Sequence, residues 1–169
     1  MRRPLPLAPV VACLFLLACS GAEAPKAAPV PSDAWVTSVK PWYCGPEPLP
    51  ALTGKDGAAQ PQNREVAMKL VPGKSSFTAI YAAVNGTDKS VGSLTRFVST
   101  GERTATMRWE NDQRQNGDVV LSFAPDFATL TLTWKANKTP PGSSPVPGVT
   151  TTLTAAAGSS ACVAGGMIR

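Results

Sequence analysis

From Trp35 onward, apolar and polar residues alternate with a period of two, which is the period of a β-strand rather than that of a helix. In the clearest example, Ala105, Met107 and Trp109 share one face, and polar residues separate them. The pattern predicts eight strands, near residues 36–44, 66–71, 77–81, 91–98, 105–109, 118–124, 129–135 and 149–155, with 163–168 as a candidate ninth.

A short repeat runs through these strands. The template is apolar residue, Thr, apolar residue, any residue, aromatic residue, and its three copies end at Tyr81, Trp109 and Trp134. Each copy is followed by a second predicted strand, so the repeat indicates a two-stranded unit used three times. The alternative is a coincidence of the kind that any β-protein can show.

Tight-turn sequences separate the predicted strands, at 116–118 and 124–127. Half-buried strands joined by tight turns indicate an antiparallel up-and-down meander, so the fold class is all-β. Eight such strands can close into a barrel, which removes the exposed sheet edges. A two-sheet β-sandwich satisfies the same alternation, and alternation alone does not separate the two.

The segment 107–135 carries a resemblance to a known family. Trp109, the Gly117 turn, the strand up to Phe123, the Pro-Asp corner and the closing Trp134 resemble the β-meander repeats of small bacterial lipocalin-like or calycin-like proteins. The resemblance implies a barrel and no particular activity. Phe127 stands where the family pattern has Gly, and since Phe tolerates positive φ poorly, this turn is expected to differ.

The first residues of the chain have the features of a targeting signal. Arg2 and Arg3 precede an apolar stretch, which ends in Leu16-Leu17-Ala18-Cys19 and resembles a bacterial lipobox. The resemblance implies cleavage before Cys19, a diacylglycerol thioether on its sulfur and acylation of the new amino terminus, because stable anchoring needs two or more acyl chains. A second, poorer lipobox at Cys13 and an ordinary secretory signal are the alternatives.

The resemblance also implies a location and a domain plan. Ser20, rather than Asp, follows the lipidated cysteine, which in such lipoproteins is typical of delivery to the outer membrane. We therefore expect a signal peptide at 1–18, an acylated cysteine and Pro/Ala tether at 19–34, and one β-barrel-like domain at 35–169. The protein would lie in the cell envelope, anchored to the outer membrane on its periplasmic side.

Composition excludes several classes of function. The chain of 169 residues is 43% hydrophobic and 16% charged, which is not a disordered composition. Removal of Arg2 and Arg3 leaves 14 basic and 11 acidic side chains, a net charge of +3, so no nucleic-acid partner is indicated. There is no histidine, which removes the commonest general base and metal ligand. No catalytic residue, metal or cofactor is predicted.

Two cysteines remain once Cys13 leaves with the signal and Cys19 is acylated. Cys44 and Cys162 form an even pair in an oxidising compartment, which predicts a disulfide. The bond would join the first strand to the last segment and close the barrel at its seam. Two free thiols, one of them catalytic, are the alternative, which the absence of an activating histidine disfavours.

Several side chains are candidates for binding. Four aromatic residues could line a ligand cavity at the barrel mouth or could simply fill the core: Tyr81, Trp109, Phe123 and Trp134. The Pro-rich loop 139–148 is a candidate for insertion into a partner or a plain linker. Arginines at 96, 103, 108 and 114 could meet an anionic partner such as lipopolysaccharide or form a solvated face. The acidic residues Glu110, Asp112, Asp118 and Asp126 lack the spacing of a calcium loop.

We expect a monomeric, non-enzymatic module that binds a small apolar ligand or an envelope component. The alternative is a protein inhibitor of, or immunity protein against, a cell-wall-directed enzyme such as lysozyme. A hydrolase is disfavoured, because neither a histidine nor a nucleophile motif is present. A carrier should have an open apolar cavity, an inhibitor a packed interior with an exposed ordered loop, and an enzyme converging polar groups in a cleft.

Overall fold

The structure, a computed structural model, describes residues 33–53, 59–138 and 149–168. Eight antiparallel strands pair in sequence order, and the last pairs with the first, so the predicted all-β barrel is confirmed and the sandwich is not formed. The strands are β1 (Trp42–Thr53), β2 (Ala59–Pro72), β3 (Phe77–Asn85), β4 (Asp88–Gly101), β5 (Thr104–Asn111), β6 (Asn116–Phe123), β7 (Thr129–Lys138) and β8 (Thr150–Ala155). Three 3₁₀ helices flank them: η1 (Asp33–Ser38), η2 (Ser159–Ala161) and η3 (Gly165–Met167).

The three copies of the repeat form three consecutive hairpins. Their first strands are β3, β5 and β7, and their second strands are β4, β6 and β8. In β5 the buried positions are Ala105, Met107 and Trp109, as the alternation predicts. The period-two pattern therefore identified the residues that point into the barrel, because successive side chains of a strand point to opposite faces.

Two predicted strand segments were wrong, both at the ends of the domain. Residue 36 belongs to η1, and β1 begins at Trp42. Trp35 and Val36 are both buried in the barrel core, which a strand would not allow for adjacent residues. The candidate ninth strand, 163–168, instead forms 3₁₀ turns that pack on the outside of the closed barrel.

The turn at Phe127 also departs from expectation. Phe127 adopts φ 56°, so the prediction that this turn avoids positive φ was wrong. Its ring lies 5.9 Å from that of Phe123, and its carbonyl accepts a hydrogen bond of 2.9 Å from the Tyr43 hydroxyl. These tertiary contacts offset the roughly 1–2 kcal/mol that the left-handed conformation costs.

The two ends of the barrel differ in chemistry. The capped end contains η1 and the turns after β2, β4 and β6, whereas the polar end contains the turns after β3 and β5. Trp35 of η1 contacts Phe77, Phe97 and Phe123, with ring centroids 5.5–6.1 Å away. The N-terminal 3₁₀ helix thus closes the capped end with an aromatic cluster.

The closing ladder between β1 and β8 joins two residue pairs. The Trp42 carbonyl accepts a hydrogen bond of 2.9 Å from the Ala156 N–H, so the backbone groups of even-numbered β1 residues face β8. Pro46 and Pro48 share that parity and have no N–H to donate. The sequence of β1 itself therefore shortens the ladder at the seam.

A disulfide lies beside this seam. Cys44 of β1 is bonded to Cys162, with Cα atoms 5.6 Å apart, so the predicted pair is confirmed. The bond holds the segment after β8 against the outer face of β1, β2 and β3, where Ala67 and Ala82 are fully buried. The bond links the first strand to the last segment, as the sequence predicted.

Candidate functional site

The four aromatic residues expected at a ligand cavity all lie inside the barrel and are buried. The Trp134 ring centroid lies 5.3 Å from that of Tyr81 and 5.8 Å from that of Trp109, so the three repeat aromatics form one layer. Phe123 lies nearer the capped end, 5.5 Å from Trp35. These rings fill the core, which was the other interpretation of the pattern, and their role in ligand binding stays a prediction.

Two glycines make room for this aromatic layer. A Cβ at Gly92 would collide with the Tyr81 ring, and a Cβ at Gly117 would lie 2.6 Å from Trp109 Nε1. Without a side chain at Gly117, Trp109 Nε1 can donate a hydrogen bond of 3.2 Å to the Lys135 carbonyl. The glycines of β4 and β6 therefore belong to the packing of the repeat aromatics.

Beyond this layer, at the polar end, the barrel contains a cavity of about 160 Å³. Its lining is mostly polar and comes from β1 to β5 and the β5–β6 turn, and includes Arg64, Asn85, Asp88, Lys89 and Gln113. The volume is well below the roughly 300 Å³ at which sites for drug-sized ligands begin. The cavity therefore has room for one small ring or one side chain.

A fully buried carboxylate stands beside this cavity. Glu47 of β1 is 0% exposed, and its Oε2 forms an ion pair with Nε of Arg64, its cross-strand neighbour on β2. Its Oε1 accepts a hydrogen bond of 2.8 Å from Thr151 Oγ1 on β8. Glu47 thus connects β2 to β8 across β1, inside the seam whose outer side carries the disulfide.

The far wall of the cavity is held by side chains as well. Ser90 Oγ donates a hydrogen bond of 3.1 Å to Asp112 Oδ1. Asn111 Oδ1 accepts from the backbone N–H groups of Gln113 and Gln115, at 3.1 and 2.9 Å, which shapes the β5–β6 turn. The polar end is therefore organised before any ligand arrives.

Tyr81 lies directly below the cavity and is 4% exposed. Burial raises its pKa far above the ordinary value, and the charges of Glu47 and Asp112 raise it further, while Arg64 opposes them. The Tyr81 hydroxyl is therefore neutral at physiological pH and contributes neither a charge nor a base to the site.

The charged residues noted in the sequence do not converge. Asp126 accepts a hydrogen bond of 2.9 Å from the Ala128 N–H at the capped end, and Asp118 pairs with Arg108 at 3.6 Å on the outer face. Arg96 and Arg114 are exposed, each at positive φ. Across residues 33–53, 59–138 and 149–168, no group of three or more acidic, Cys or His residues could hold a metal ion.

Sequence reasoning missed the network of Glu47, Arg64 and Thr151. A signal was present, because Glu47 lies four residues after Tyr43 and so shares its inward face. Arg64 precedes the inward-facing Val66 by two residues in the same way. Charged residues at inward positions of a half-buried strand mark a buried network, but the alternation does not say which of them meet.

No protein-family profile matches the chain, and neither a curated protein nor a solved structure matches it. Cys19, the predicted tether up to residue 32 and the loop 139–148 lie outside the described residues, whereas residues 33 and 34, the last two assigned to the tether, begin η1. Within the described part, no helix is both long enough and apolar enough to cross a bilayer.

Proposed function

We propose that the protein is a lipid-anchored, non-enzymatic recognition protein of the cell envelope, which binds an envelope component at the polar end of its barrel. The observation that carries the proposal is the asymmetry of the interior: aromatic rings fill the capped end and the middle, and a preorganised polar cavity occupies the other end. Because the rings contact one another, we favour an envelope component over a small apolar ligand.

The position of η1 is consistent with binding at the polar end. The described chain begins at Asp33, in the helix that closes the capped end. A chain tethered through Cys19 would therefore enter the barrel at its capped end, opposite the polar end. The anchor is tested by mass spectrometry of the purified protein: we expect acyl chains on residue 19 and their loss in Cys19→Ser, and an unmodified residue 19 would contradict the proposal.

The chemistry of the cavity supports binding rather than catalysis. Both oxygens of Glu47 are engaged, one by Arg64 and the other by Thr151. Tyr81 is held neutral by burial, which raises its pKa. A general base needs a free acceptor atom at physiological pH, which the engaged carboxylate of Glu47 and the neutral hydroxyl of Tyr81 do not offer.

Binding is tested by co-sedimentation of the purified protein with peptidoglycan sacculi and with outer-membrane vesicles. We expect retention on at least one of them, weakened in the double variant Asn85→Ala/Gln113→Ala, whose side chains line the cavity. The matched control is Thr95→Ala/Thr152→Ala, which alters two exposed residues of the outer face. Equal retention of both double variants would exclude the polar end as the binding surface.

A second candidate is inhibition of a cell-wall-directed enzyme such as lysozyme. The observation in its favour is the turn 112–115, whose first three residues are exposed and whose backbone is ordered by two hydrogen bonds to Asn111 Oδ1. The test is the clearing of a cell suspension by lysozyme. Slower clearing in the presence of the protein, relieved by Gln113→Ala, would support this candidate, and unchanged clearing would exclude it for that enzyme.

A further inference from the structure

We infer that the cavity at the polar end takes one neutral sugar ring of a glycan. The inference deepens the proposed function and rests on it. It follows from which hydrogen-bonding groups of the lining are already used, from their charge balance and from the size of the space.

The cavity lining has both hydrogen-bond donors and hydrogen-bond acceptors that are not used by other side chains. Arg64 uses its Nε for Glu47, and neither Nη group has a second partner among the described residues. Asn85, Asp88 and Lys89, which also line the cavity, likewise have no side-chain hydrogen bond within the described ranges. Donors from guanidinium, ammonium and amide groups therefore face the same space as carboxylate and amide acceptors.

The charges around the cavity nearly cancel. The positive charge of Arg64 is paired with Glu47, and Lys89 follows Asp88 in the rim. An anion or a cation would therefore gain little electrostatic attraction in the cavity to offset the loss of its hydration. An apolar ligand would leave the polar lining unpaired, which is costly in a partly buried site. The ligand that fits is neutral and carries donors and acceptors close together, as hydroxyl groups do.

The shape of the site separates a sugar from a peptide. A volume of about 160 Å³ holds a single ring rather than a chain. An extended peptide binds most readily by adding a strand to a free sheet edge. Each strand of this barrel has a paired neighbour on both sides, and where the β1–β8 ladder is short, Pro46 and Pro48 of β1 have no N–H to donate, which disfavours strand addition at the seam. A ring inserted from the end of the barrel fits this space, and a single inserted side chain of similar size would bring fewer hydrogen-bonding groups to the polar lining than a sugar ring does.

The test uses the purified full-length chain with chitotriose and maltotriose as sugar probes and triglycine as the peptide comparator. Saturation-transfer NMR should show transfer to ring protons of at least one sugar and none to triglycine, and calorimetry should give the affinity. Asn85→Ala/Gln113→Ala should weaken sugar binding by about two- to tenfold for each lost hydrogen bond. Lys89→Ala serves as a second cavity variant, and Thr95→Ala/Thr152→Ala should change nothing.

Absence of binding by both sugars overturns the inference, as does sugar binding that the cavity variants leave unchanged, or preferential binding of triglycine. Sacculus or vesicle retention that depends on Asn85 and Gln113, without binding of free sugars, would leave the proposed function standing and remove only the sugar assignment. Retention that is unchanged in the cavity variants would overturn both the proposed function and the sugar assignment.

Discussion

The buried network around Glu47 gives the sharpest test of how the barrel closes. Glu47→Gln keeps the volume of the side chain and removes its charge. Hydrogen bonds to a charged group contribute about 1.5–3 kcal/mol and neutral ones about 0.5–1.5 kcal/mol, so each of the two bonds loses about 1 kcal/mol. Because the Arg64 side chain is 31% exposed and regains water, we expect a total loss of about 1.5 kcal/mol.

Thr151→Val removes the other partner and leaves a charged oxygen unpaired in the interior, for a loss of about 2 kcal/mol. Because both substitutions act on the same hydrogen bond, the double variant should lose at least about 0.5 kcal/mol less than the sum. In a domain of this size a loss of 1.5 kcal/mol lowers Tm by roughly 5 °C.

The assay is urea unfolding without reductant, followed by tryptophan fluorescence and circular dichroism. The matched control is Glu110→Gln, a carboxylate on the exposed face of β5, which should lie within about 0.5 kcal/mol of the unmodified protein. The network does not stabilise the seam if Glu47→Gln loses no more unfolding free energy than this control. The same conclusion follows if the losses of Glu47→Gln and Thr151→Val add fully in the double variant.

Three further predictions concern the tyrosines, the disulfide and a glycine. The chain has two tyrosines, Tyr43 and Tyr81, and burial raises the pKa of both. Their contribution to stability is complete below the unfolded-state pKa of about 10 and declines as the pH rises above it, so Tyr43 should ionise above the usual pH and the Tyr81 phenolate should appear only with alkaline unfolding. Ionisation of both tyrosines near pH 10 in a natively folded sample would refute this. Cys44→Ser/Cys162→Ser should lower the free energy of unfolding by up to about 4–5 kcal/mol, since the bond closes a loop with a sequence separation of 118, and thiol titration of the denatured, unreduced protein should find neither cysteine free. Gly117→Ala should lower the free energy of unfolding by about 3 kcal/mol or more, because its Cβ would collide with the Lys135 backbone and Trp109. Gly158→Ala, whose Cβ would meet no atom within 4 Å, should leave it nearly unchanged. Equal Tm values for the two variants would contradict the packing argument.

Much of the fold was predictable from local pattern. The strands β5, β6 and β7 follow the alternation, because a half-buried strand must place apolar residues at every second position, whereas register shifts in β4 interrupt it. The pattern failed at Val36, where a 3₁₀ helix buries two adjacent apolar residues, and at Phe127, whose conformation depends on Tyr43 and Phe123. Both exceptions are contacts between distant parts of the chain.

The candidate site was less predictable than the fold. The sequence singled out aromatic residues, which lie in the core, and passed over Glu47 and Arg64, which stand beside the cavity. Aromatic residues occur in cores and in ligand sites alike, so residue type alone does not distinguish the two. A charged residue at an inward position is the more informative signal, because burial of a charge requires a partner.

The amino-acid sequence alone determined the all-β class, the inward and outward faces of most strands and the pairing of Cys44 with Cys162, because alternation and the cysteine count are properties of the chain itself. Only the tertiary structure decided that the strands close into a barrel and that Glu47 meets Thr151, 104 residues away. Alternation states which face of a strand is buried, but not which strand lies beside it. Closure and the site at the polar end therefore depend on which distant strands become neighbours, and local sequence does not encode that choice.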